Sequence, residues 1–248
     1  MSSSFLEIDD RPAQGESRPQ SGGTASPEVR FSSALDGLAA INETAAELVI
    51  WQRALPVGLR EWLDQTAVAA LPDVRILIEP GDLRAALEPL LDECGMTAGE
   101  MRDLLIEDIG GLVSTFADIT RTAHVDVRLE RISHDACWKF HRDAVETRLV
   151  TTYRGPTTQW VPLAHSQRAL DEQTAYAGPL ERLGDHDVAV FKGKLAGQGG
   201  GVVHRSPPIE GTGVTRLFLC LNTPSIVSSN LWVGPSAHVS SSAPFLTE

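Results

Sequence analysis

Apolar positions along this chain follow two different periods. Before about residue 121 they recur three and four apart, the spacing of one helix face, and after it they alternate with polar positions, the period of a half-buried strand. In the first part Leu59, Trp62, Leu63 and Thr66 predict one helix. Leu83, Ala86, Leu87, Leu90 and Leu91 predict a second, which Pro89 should kink or split because it lacks an N–H and crowds the preceding turn. A third is the most regular: Thr97 and Glu100 read as a capping box, and Met101, Leu104, Leu105, Ile109, Leu112 and Phe116 form one apolar stripe, weakened locally by Gly110 and Gly111. "ELVIW" and "VRILIE" are short apolar runs that fit strands better.

Beyond residue 121 the strand candidates are "HVDVRLERI", "RLVTTY", "TTQWVPL", "DVAVFK", "GVVH" and "TRLFLCLN". Turns fall at Arg154-Gly155-Pro156, Leu183-Gly184-Asp185 and Pro207 to Gly213, where Gly and Pro supply the backbone angles. The expectation is an α+β protein with helices packed on an antiparallel sandwich or partly closed barrel. Its parts are a disordered segment over 1–30, a mainly helical part over 31–120, a β core over 121–233 and a flexible tail over 234–248.

Composition narrows the function. A length of 248 residues with 42% apolar content buries a proper core, and a formal charge of −12 without a basic stripe argues against nucleic acid as partner. No run is long and apolar enough to span a membrane, and the first residues lack the basic start and apolar centre of a signal peptide. Cys94, Cys137 and Cys220 are isolated and odd in number, which fits a reducing cytoplasm. The oligomeric state is left open.

The candidate chemistry lies in "FHRD". On a strand, His141 and Asp143 would share a face, and His204 closes "GGGVVH" further on. Two imidazoles and a carboxylate on one face of a metal make the facial triad of non-haem Fe(II) sites, with the opposite positions open. An HxD pair is weak by itself, and His124 with Asp126 is another; only the later pair is followed by a distal His and by Arg216 at the start of a strand. In "TRLFLCLN", Arg216, Phe218 and Cys220 share one face, so Arg216 either grips a dicarboxylate such as 2-oxoglutarate or pairs with a surface carboxylate. Arg148 and Tyr153 are candidate contacts to the same cosubstrate, with a packed ring as the alternative for Tyr153. Cys137 with His141 and His204 offers a zinc site, or is a buried, inert thiol. Lys192 either holds an anion or is solvated, and "GQGGG", Gly197 to Gly201, reads as a flexible connection beside His204.

"KFHRD", "TRLVTTYRGPTTQWV", "VAVFKG" and "HRSPP" followed by "RLFLCLN" resemble the successive blocks of a bacterial family catalogued as a domain of unknown function. The likeness runs from about Ala45 to Asn222, and the family is associated with zinc homeostasis. Its blocks are similar, more loosely, to the double-stranded β-helix (jelly-roll or cupin-like) of Fe(II)- and 2-oxoglutarate-dependent dioxygenases. That similarity implies Fe(II) on His141, Asp143 and His204, 2-oxoglutarate on Arg216, and a small-molecule substrate; a zinc-handling protein of the same fold is the alternative. Two departures stand out: Phe218 occupies the place where those oxygenases carry Ser or Thr, and Thr157 stands where the family has Gly.

Overall fold

The computed structural model describes residues 26–196 and 200–234. Seven strands form one sheet: β1 (Glu28–Ser32), β2 (Ala46–Trp51), β3 (Val74–Ile78), β4 (Val125–Ile132), β5 (Thr147–Arg154), β8 (Val188–Lys192) and β10 (Arg216–Asn222). Their order is β1-β2-β8-β5-β10-β4-β3, antiparallel except for the β1–β2 edge. A second sheet holds three two-residue strands, β6 (Gln159–Trp160), β7 (Glu181–Arg182) and β9 (His204–Arg205), in the order β7-β6-β9.

Period-2 alternation gives the large sheet two distinct faces. Val127, Leu129, Leu149, Val190, Leu217, Leu219 and Leu221 point to one side, where they pack with helices α1 (Val57–Gln65), α2 (Leu83–Glu93) and α3 (Glu100–Thr120). Leu105, Ile109, Leu112 and Phe116, predicted as the stripe of the third helix, are all buried there. Each such side chain contributes about 1.5–3 kcal/mol of burial free energy. On the other side Leu48, Ile50, Val150, Ala189, Phe191 and Cys220 pack with Trp160, Leu183 and Val202 of the small sheet and its loops. The space between the two sheets is therefore lined by Arg148, Val150 and Thr152 of β5 and by the even-numbered residues of β10, while Arg154, past a register shift, turns to the end of α1.

Several expectations are corrected. α2 runs unbroken through Pro89. The capping box at Thr97 does not form: Gly99 is the N-cap of α3, at φ 149, and no side chain caps the helix. "TTQWVPL" and "GVVH" shrink to the short β6 and β9, while α4 (Ser166–Glu172) follows a stretch read as strand. β1 begins at Glu28, inside the segment expected to be disordered, and the strands β1, β2 and β3 carry the N-terminal half into both edges of the sheet. Residues 1–25 of that segment, and nearly all of 234–248, lie outside the described residues. Among the described residues no helix is long and apolar enough to cross a membrane.

Candidate metal centre

His141 and His204 meet as a hydrogen-bonded antiparallel pair: each backbone N–H donates to the other's carbonyl at 3.1 Å. That single bridge joins "FHRD" to the end of the small sheet and places the two imidazoles 4.5 Å apart, centroid to centroid. "FHRD" itself is not a strand; only His141 is bridged, and the chain then bends before β5 begins. Asp143 reaches the imidazoles because its own carbonyl accepts from Lys194 N–H at 2.9 Å, and Val145 and Glu146 are held likewise by Leu195 and Gly193. Gly193 is required there, since a Cβ would lie 2.2 Å from the Val145 carbonyl oxygen and 2.8 Å from that of Asp143. Arg142 adds a tie across the gap, donating from Nε to the Gly201 carbonyl at 3.2 Å.

The three side chains converge. His141 Nε2 is 3.4 Å from Asp143 Oδ1, His204 Nε2 is 3.3 Å from Asp143 Oδ2, and all three ligand atoms lie within 4.8 Å of one another. Ligands about 2 Å from one ion and at right angles to each other stand about 3 Å apart, so the spacing suits one face of an octahedron. Each Nδ1 is engaged by a carbonyl, Lys139 O at 2.8 Å for His141 and Val202 O at 3.2 Å for His204. A carbonyl only accepts, so both Nδ1 atoms carry a proton and both Nε2 atoms turn toward Asp143, where they donate when protonated and are free to ligate when not, the arrangement that orients metal-binding histidines. The donor set fits a divalent cation: two imidazoles that can ligate through Nε2 and one buried carboxylate.

Electrostatics agree with the geometry. Burial alone would raise the Asp143 pKa, but hydrogen bonds from His141 and His204 and the charges of His204 and Arg148 outweigh it and hold the carboxyl well below the usual range. Burial lowers the His141 pKa, while Asp143 and the Lys139 carbonyl more than reverse this and raise it.

A cavity of about 370 Å³ opens beside the triad, lined in part by His141, His204, Arg148, Ser206, Phe218 and Cys220. Arg216 sits behind Ser206 and Phe218, fully buried. Its Nη1 donates to Ser206 Oγ at 2.8 Å, Nη2 to Thr152 Oγ1 at 3.4 Å, and its guanidinium lies 4.9 Å from the Phe218 ring centroid. The backbone leaves no slack at this point: Gly155, at φ 82, passes so close that a Cβ would be 2.8 Å from the Thr215 carbonyl and 3.2 Å from Arg216 Cα. Among the described residues no carboxylate pairs with this guanidinium, and its Nε has no partner. Burial, only partly offset by the charge of Glu130, brings its pKa down to about 10.

Of the other candidates, Arg148 is at the site but grips Asp143, with Nη1 2.6 Å from Oδ2. Tyr153 is not: it faces the helices and donates to Asp108 Oδ2 at 2.5 Å, because odd-numbered residues of β5 point away from the small sheet. Cys137 is exposed rather than buried and stands outside the three-ligand cluster. Lys192 donates to the carbonyls of Glu43 and Thr44. The other HxD pair is used structurally, with Asp126 bonded to Arg75 and Ser228. Most of the glycine run, 197–199, lies outside the described residues. Thr152 and Asn222 also serve the site, and Ser206, with no nucleophile elbow around it, serves as a partner of Arg216. Continuing the alternation Arg216, Phe218, Cys220 by one step reaches Asn222, and reading "HRS" as a strand end puts Ser206 on the face of His204.

The chain belongs to the family described as "Protein of unknown function (DUF1826)", which matches residues 32–222. No curated protein matches. Among solved structures, the chain is similar to AtDAO1, dioxygenase for auxin oxidation 1 from Arabidopsis thaliana, in its 2-oxoglutarate complex, with 11% identity, 87% of this chain and 98% of that chain covered, and a TM-score of 0.49. A Pseudomonas putida prolyl-4-hydroxylase gives 13% identity, 81% and 98% coverage and a TM-score of 0.39. A full-length Neurospora crassa protein in complex with alpha-KG gives 12% identity, 88% and 90% coverage and a TM-score of 0.40. At these scores the chemistry rests on this chain's own residues.

Proposed function

We propose that this member of the family is a non-haem Fe(II)- and 2-oxoglutarate-dependent oxygenase of a small molecule, with the two sheets forming a double-stranded β-helix. One pairing carries the reading. Three atoms able to ligate a metal converge beside the cavity, and a fully buried guanidinium with no paired carboxylate among the described residues lies behind two residues that line the same cavity. A buried cation is costly unless an anion meets it, so Arg216 is a built receptor for a carboxylate.

His141, Asp143 and His204 hold the ion, and their fixed tautomers keep three ligands on one side of it. Fe(II) bound there supplies the redox chemistry that activates dioxygen toward a C–H bond. The donor set favours iron over zinc, since a carboxylate stands where a structural zinc site has thiolate. Arg216 receives the far carboxylate of the cosubstrate by charge-assisted hydrogen bonds in a water-poor site. Ser206 and Thr152 orient its fork, and they replace the hydroxyl that Phe218 does not provide. Phe191, with its ring 4.7 Å from that of His204, and the apolar cluster around it exclude water from the inner side. The outer part of the cavity, rimmed by Arg128, Glu130 and Arg131, is left for the substrate.

Anaerobic protein given Fe(II) and 2-oxoglutarate should develop the visible charge-transfer band of a chelated ferrous centre. His141→Ala and His204→Ala should abolish it, and Arg216→Leu should keep the metal but lose the band. Tight stoichiometric zinc with no such band would instead establish the zinc-handling alternative.

A further inference from the structure

We infer that Arg148 is a positioning residue for the metal ligand Asp143, held in place by Asn222, and is not a cosubstrate contact. This rests on the metal-triad reading above. Arg148 and Asn222 are direct cross-strand partners on β5 and β10. Arg148 Nε donates to Asn222 Oδ1 at 2.7 Å while Nη1 stands 2.6 Å from Asp143 Oδ2. The Asn222 amide is oriented in turn, with Nδ2 3.5 Å from Cys220 Sγ, so its oxygen faces the arginine. The guanidinium is thereby engaged through Nε and Nη1, and its side chain is only 19% exposed.

The consequence concerns how Asp143 binds. A free carboxylate on a flexible bend rotates and offers a metal either oxygen or both. Here Arg148, held by a strand pair, restrains that rotation, with Oδ1 3.4 Å from His141 Nε2 and Oδ2 3.3 Å from His204 Nε2. Asp143 lies in a loop, outside any strand, and the arginine gives it the fixed position that its own backbone does not.

Cobalt(II) serves as the probe, with no cosubstrate present: its binding isotherm reports affinity and its visible d–d absorption reports coordination number. Arg148→Ala and Asn222→Ala should each weaken binding about 10- to 100-fold, the usual effect of removing an outer partner of a ligand. Both should also alter the d–d spectrum, and Arg148→Lys, which keeps charge but loses the donor to Asn222, should recover only part of the affinity. Asn222→Ala touches no ligand, so it guards against a fold lost with the arginine; circular dichroism verifies each variant. Wild-type isotherms and spectra in both alanine variants, with weakened 2-oxoglutarate binding in Arg148→Ala, would overturn the inference and make Arg148 a cosubstrate residue. Failure of the unaltered protein to bind cobalt at all would bring down the triad reading itself, and this inference with it.

Discussion

At the scale of single residues the site is a balance of charges around one carboxylate. His141 gains Asp143 as a partner on folding, and its pKa is raised above the ordinary 6.5. Protonated His141 therefore stabilises the metal-free fold fully below that value, and the contribution disappears as pH rises through the raised one. Asp143 behaves in the opposite sense: its stabilising charge is present above the usual carboxylate range and is lost only as pH falls towards its depressed folded value. Metal uptake needs a free Nε2, so affinity should climb over the same interval in which the metal-free protein loses the His141 contribution. Urea unfolding of metal-free protein from pH 5 to 8, set beside cobalt isotherms at the same pH values, should show the two trends crossing. His141→Gln should flatten the stability trend.

Among the elements, β5 divides the work by parity. Its even residues Arg148, Val150 and Thr152 serve the space between the sheets, and its odd residues Leu149 and Tyr153 serve the helix side. Tyr153 joins Asp108 of α3, which also pairs with Arg53 through both oxygens, and the Arg53 Nε donates to the His186 carbonyl at 2.9 Å. Burial and then Asp108 hold the Tyr153 phenol well above its ordinary pKa, so it stays a donor at every working pH. Tyr153→Phe leaves a half-buried carboxylate oxygen short of one bond and should cost about 0.5–1.5 kcal/mol in denaturant unfolding. Cobalt affinity should be unchanged, because the tyrosine is on the far face; a metal-affinity loss would show that the two faces are coupled. Sequence alternation alone placed Arg216, Phe218 and Cys220 together correctly. It did not assign Tyr153 to the helix side, since parity says which residues share a face and not which face meets the helices.

For the whole molecule, the sheet binds both halves of the chain into one body. β2 flanks β8 on one side and β3 flanks β4 on the other, so the strands after residue 121 have no free edge within the sheet. A chain cut to residues 121–233 loses those flanking strands and α1, α2 and α3, exposing Leu217, Leu219 and Leu221 together with two unpaired edges. It should fail to give a cooperative thermal transition and should aggregate, whereas residues 26–234 should melt in one step followed identically by far-ultraviolet circular dichroism and tryptophan fluorescence.

By itself the sequence determined the strong local periods: the stripe of α3, the strands β4, β5, β8 and β10, and it offered the three residue types of a candidate metal site. Those follow from side-chain chemistry and from the fixed repeats of helix and strand. Tertiary structure decided the rest. It brought His141 to His204 through a single backbone bridge, swung Asp143 in from a bend rather than along a strand, buried Arg216 behind Ser206 and Phe218, and turned Arg148 onto Asp143 instead of outward. Each of these is a long-range closure, and no local period encodes which distant backbone will come within hydrogen-bonding reach.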